Sequence, residues 1–84
     1  MEQTKLCSLH QARTGDSFRI AQIKVDGVLR RRLLDLGFVP NAVVKVLQRS
    51  PLGDPTAYRV SQTTIALRKE EATQILGEVI NNEG

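Results

Sequence analysis

Residues 29–55 read LRRRLLDLGFVPNAVVKVLQRSPLGDP, and this stretch decides the fold. Leu29, Leu33 and Leu36 recur at i, i+4 and i+7, which puts them on one stripe of a helix. Gly37 supplies the left-handed residue that ends such a helix, and Pro40 blocks its continuation. Val43 to Arg49 is β-branched and roughly alternating, which predicts a strand with Val44, Val46 and Leu47 turned toward a core. Ser50-Pro51-Leu52-Gly53-Asp54-Pro55 follows. Its prolines fix φ twice and its glycine permits a positive φ once, so it predicts a tight, preorganised turn. The stretch specifies a scaffold and contains no reaction centre.

Working outward, Gly15-Asp16 reads as a turn. Phe18, Ile20 and Ile23 then face inward while Arg19, Gln22 and Lys24 face out, a first strand. Asp26-Gly27 makes a second turn, and the helix runs from about Val28 to Leu36. Past the proline turn, Ala57 to Val60 reads as a strand, Ser61-Gln62 as a turn and Thr63 to Leu67 as another strand. Tyr58 and Val60 are expected on one face, Ile65 and Leu67 on another. Lys69 to Leu76 predicts a short helix, with Glu70 and Glu71 at its positive end and Ala72, Ile75 and Leu76 as an apolar patch closed by Gly77. Glu78 to Ile80 is expected as a brief closing strand and Asn81 to Gly84 as a frayed tail. The sum is mainly β: a small, partly open barrel of about five strands, with a helix after the first and a short helix near the C-terminus.

The 84 residues make one domain, with its core expected between about residues 9 and 80. At 40% hydrophobic and 25% charged, the composition suits a globular domain. No apolar run approaches the roughly 20 residues of a membrane-spanning helix. The start, MEQTKLCSLHQ, lacks the apolar segment of a secretory signal, so a cytoplasmic location is expected. Cys7 is the sole cysteine, which excludes an internal disulfide. The net charge of +3 is concentrated at Arg30, Arg31 and Arg32, with only Asp35 near to offset it. Such an excess speeds encounters with acidic surfaces without choosing among them.

Three motifs in order carry a resemblance: Arg32-Leu33-Leu34-Asp35-Leu36-Gly37 followed by Pro40, then Pro51 to Pro55, then Ala66-Leu67-Arg68 with Glu71-Ala72. Together they resemble the FeoA family, small cytosolic proteins of bacterial ferrous-iron uptake, over about Leu9 to Val79. The resemblance implies an SH3-like barrel acting on the FeoB membrane permease or its cytoplasmic G-protein domain. The same barrel is similar to the C-terminal domain of iron-dependent repressors, which leaves a metal-sensing regulatory module as the alternative. Two positions depart from the family pattern. Asn41 stands where a glycine is common, tolerable because Asn also visits positive φ. Ser61-Gln62-Thr63 replaces a turn that usually holds glycine, so a looser hairpin is expected there.

The partner-binding candidates are Arg30, Arg31, Leu34, Leu52 and Asp54. Arg32 lies beside the leucine stripe and covers the core edge with its stem, while Arg31 stands i, i+4 from Asp35 and can pair with it. Leu34 falls opposite the stripe, between Arg30 and Arg31, where it is either a docking spot or a leucine covered by a neighbouring loop. Leu52, at the tip of the turn, either presents itself rigidly to a partner or folds back over the barrel mouth. Phe18, Phe38 and Tyr58 are too few to make a base-stacking platform, so nucleic acid is not the expected partner. Nor is direct membrane insertion, while weak self-association is compatible with the sequence.

Cys7 and His10 have a C-x-x-H spacing that could supply two ligands to zinc or ferrous iron. Completion would need Asp16, Glu2 or a partner molecule, so no resident metal or other cofactor is expected, adventitious zinc through His10 aside. His10 has no nearby serine or carboxylate partner, and the proline turn lacks the Lys-Ser/Thr pair of a phosphate loop. An enzyme is not expected.

Overall fold

The structure is a computed structural model that describes residues 6–81. It contains strands β1 (Cys7–Ser8), β2 (Ser17–Ile23), β3 (Val43–Arg49), β4 (Thr56–Val60), β5 (Thr63–Leu67) and β6 (Ile75–Val79). A 3-10 turn, Leu9–Gln11, follows β1; helix α1 spans Gly27–Leu36 and helix α2 spans Lys69–Ala72. The strands form one antiparallel, unclosed sheet in the order β1-β6-β2-β3-β4-β5. The expected mainly β, partly open architecture is present, with six strands rather than five. The added strand is β1, only two residues long and too short to leave a pattern.

Helix α1 ends as its sequence dictates. Gly37 adopts φ +107°; its N–H donates to the Leu34 carbonyl at 3.1 Å and the Phe38 N–H to the Leu33 carbonyl at 2.9 Å. These two bonds are a Schellman cap, whose characteristic apolar contact joins the residues that flank it. Leu33 and Phe38 are both 0% exposed, and burying each contributes about 2 kcal/mol. Leu29 and Leu36 pack half-buried against the same core. Asn41 takes φ +76°, as the chemistry of asparagine allows.

Bulges explain two irregularities of pattern. The β2–β6 register shifts between Ile20 and Gln22, which lets Phe18, Ile20 and Ile23 all reach the core despite their uneven spacing. The β3–β4 register shifts between Val46 and Gln48. Leu47 is consequently half-buried and outside the core cluster, while Val44 and Val46 are inside it. Tyr58 pairs with Ile65 and Thr56 with Leu67, so Ile65 and Leu67 share the face of Tyr58 rather than occupying another. In the β4–β5 hairpin Ser61 takes φ +55°, an unusual conformation for a residue with a Cβ.

The second helix is shorter than its periodicity suggests. It stops at Ala72, and Ile75 and Leu76 belong to β6, where Leu76 pairs with Ser8 on one side and Gln22 on the other. Two ladders of backbone hydrogen bonds and the complete burial of Ile75 outweigh a weak helical preference. Gly77 is therefore no helix stop. It sits within β6 opposite Ile20, where a Cβ would overlap the Arg19 carbonyl oxygen and lie 2.8 Å from Cε1 of Phe18. Asn81 is not frayed: its Oδ1 accepts from the Ser17 N–H at 2.8 Å. Residues 82–84 lie outside the described residues. Gly77→Ala should cost about 3 kcal/mol through overpacking, read as a loss of unfolding free energy in urea; unchanged stability would contradict this close approach.

Candidate functional site

The arginine helix contributes less free surface than its sequence suggests. Arg30 Nη1 donates to the Ile23 carbonyl at 2.9 Å, tying α1 to the end of β2. Leu34 is half-buried and packs against the core, correcting its placement on the outer face. The Schellman cap turns the chain back at Gly37 and brings Phe38 in beneath the last turn, so the apolar side of α1 is wider than the three-leucine stripe. Arg31 and Arg32 are exposed. No Arg31–Asp35 pair forms; among the described residues the ion pair is Arg19–Glu78, at 2.7 Å across β2 and β6. At that exposure it contributes little. Arg32 lines a narrow groove with Leu29, Leu33, Ile65, Leu67 and Glu71.

The proline turn is closed on itself. The Ser50 N–H donates to the Pro55 carbonyl at 3.0 Å and the Gly53 N–H to the Ser50 carbonyl at 2.7 Å. Ser50 Oγ donates to the Asp54 carbonyl at 2.9 Å and accepts from the Leu52 N–H at 3.3 Å. Leu52 is 93% exposed, so it does not fold over the barrel mouth. Asp54 plays a structural part, since its Oδ1 accepts from the Lys69 N–H at 2.8 Å and so caps α2 across the sequence. A proline-glycine turn announces itself locally; that cap, 15 positions away, does not.

Helix and turn both border β5, one of the two edge strands of the sheet. Ala66 in β5 lines the groove beside α1 and also a shallow depression with Gln48, Arg49, Ser50, Pro55 and Ala57. Ala66 is thus common to the groove beside α1 and to the depression at the base of the turn.

The two members of the C-x-x-H pair sit in different surroundings. Cys7 packs half-buried against the core, whereas His10 lines a concavity with Arg13, Thr14 and Arg49. Burial first, then the Arg49 and Lys69 charges, lower the His10 pKa against an opposing pull from Asp54. Those cations would repel a divalent metal. Asp16 is engaged elsewhere: Oδ2 accepts from the Arg13 N–H at 2.9 Å and Oδ1 from Asn81 Nδ2 at 2.8 Å. Glu2 lies outside the described residues. Among the described residues, no group of three His, Cys, Asp or Glu side chains is placed to hold a metal ion, and no helix is long and apolar enough to cross a membrane.

Six antiparallel strands in an unclosed sheet, with one substantial helix beside the edge strand β5, define a small SH3-like domain. Residues 7–79 match the FeoA domain, and the chain belongs to the FeoA family. It is 38% identical over 78 residues to a fusion of Fe(2+) transport protein A with the Fe(2+) transporter FeoB from Porphyromonas gingivalis, covering 93% of this chain and 9% of the fusion. The solution structure of iron(II) transport protein A from Clostridium thermocellum superposes with TM-score 0.81 at 37% identity, covering 87% of this chain and 45% of that one. The zinc-complexed FeoA of Stenotrophomonas maltophilia, described as an SH3 domain protein, gives TM-score 0.69 at 27% identity, covering 84% and 88%. A manganese-dependent transcriptional repressor shares the fold at 20% identity with TM-score 0.82, covering 93% of this chain and 43% of that one.

The Asp16 bonds carry a pH signature. Hydrogen bonds from Asn81 and then the Arg13 N–H hold its carboxyl below the ordinary carboxylate pKa. A depressed folded-state pKa contributes stability above the unfolded value of about 3.9 that is lost as pH falls through the folded one. Urea midpoints should therefore fall between about pH 5 and about pH 2, less steeply in Asp16→Asn. An equally steep fall in that variant would assign the acid sensitivity to other carboxylates.

Proposed function

We propose that this protein is a cytoplasmic accessory of ferrous-iron uptake that works by binding a FeoB-type permease or its cytoplasmic G-protein domain through a preformed surface. The observation that carries this reading is the covalent fusion in the Porphyromonas gingivalis relative. Joining two modules in one chain holds them at high effective concentration, which suits partners that work in contact. The surface we assign comprises Arg30 and Arg31 on α1 and Leu52 at the turn, with Leu34 and Asp54 supporting it from behind. Charge speeds the encounter, and an exposed leucine on a rigid turn slows release. The work is adhesion rather than catalysis and uses no resident metal.

The test is affinity for the purified, detergent-solubilised permease. Arg31→Glu combined with Leu52→Ala should weaken binding about tenfold or more, while thermal unfolding shifts by no more than about 3 °C. Undiminished affinity removes this surface from consideration. Zinc and ferrous iron titrated into the isolated protein should show no stoichiometric binding below about 1 μM. Tight binding of either at one ion per chain would move the function to metal sensing.

A further inference from the structure

A second basic feature adjoins the base of the proline turn, sharing Arg49 with the depression there. The 3-10 turn, the loop that follows it and the end of β3 enclose an open concavity of about 610 Å3, lined by His10, Gln11, Ala12, Arg13, Thr14 and Arg49. Arg49 Nη2 donates to the His10 carbonyl at 3.2 Å, which orients its guanidinium and leaves most of its donors free. Arg13 forms no ion pair among the described residues. Lys69 stands close enough for its charge to act on the His10 imidazole.

Two carboxylates border the same region, and both are engaged. Asp54 Oδ1 accepts from the Lys69 N–H, and Asp16 is bonded by the Arg13 N–H and Asn81. Among the described residues neither carboxylate forms an ion pair with Arg13 or Arg49.

We infer that this concavity is a recognition site for an acidic peptide segment, whose carboxylates are taken by the Arg13 and Arg49 guanidiniums and the Thr14 hydroxyl. Forked arginine donors match carboxylates two bonds at a time. The shape selects a peptide over a small free anion. The concavity is open and larger than one anion needs, so a lone anion would stay largely hydrated. Several carboxylates along one chain instead engage both arginines together. This site does not depend on the permease reading, since its ligand chemistry is tested with synthetic peptides on the isolated chain.

The experiment follows backbone amide shifts of the 15N-labelled full chain during titration with a peptide of consecutive glutamates. Its all-glutamine counterpart and inorganic phosphate serve as separate arms. Shifts should be confined to residues around 10–14 and 48–50, and should vanish near 1 M salt, where the Debye length is about 3 Å. Arg13→Ala and Arg49→Lys should each weaken the glutamate peptide about fivefold. Arg13 is exposed and uninvolved in the core, so its variant reports on binding even if Arg49→Lys disturbs the fold. Phosphate binding as tightly as the peptide, equal binding of the glutamine peptide, or shifts centred on α1 would each overturn the proposal.

Discussion

The approach of β6 to β2 at Gly77 is the constraint on which the architecture rests. With no side chain at that position, the backbone of β6 can lie against the Arg19 carbonyl and under the Phe18 ring, and the ring remains wholly inside the core. The same strand pairs on its other side with β1, so the end of the chain holds its beginning. The 3-10 turn after β1, and with it the basic concavity, is positioned by a strand about seventy residues away in sequence, a long-range dependence of the kind that dominates β folds.

Rigidity at the candidate binding surface arises differently. Helix α1 is ended by a local device, the Schellman cap at Gly37, and secured by the Arg30 bond to the Ile23 carbonyl. The proline turn is braced by the Ser50 hydroxyl, which accepts from one backbone group and donates to another. Both elements flank β5, whose outer edge has no strand partner. A free edge is an aggregation hazard unless it is covered or charged. Here α1 lies beside it, with Arg32 and Glu71 at the groove.

What could be read from sequence divides along the range of the forces involved. Gly37, Pro40 and the proline turn act within a few residues, and their elements stand where those residues indicate. The two bulges announce themselves faintly, since Phe18, Ile20 and Ile23 cannot all face one side of a regular strand. Ile75 and Leu76 mislead because three apolar residues after Glu71 fit a helical turn as well as a buried strand, and only their pairing with β1 and β2 decides. Arg30, Leu34 and Asp54 read as surface residues because their partners lie in other elements. Arg49 meets His10 across 39 positions, beyond any spacing rule, so the basic concavity left no trace in the linear pattern.

The bond from Asp54 to the Lys69 N–H gives the proline turn a second anchor. A loop tip held only by its own hydrogen bonds can swing as a unit about its two stems; this one is also moored to α2, which leads directly into β6. Leu52 consequently stands on a stalk braced at three points, and much of the motional freedom it would otherwise surrender on capture has already been given up in folding.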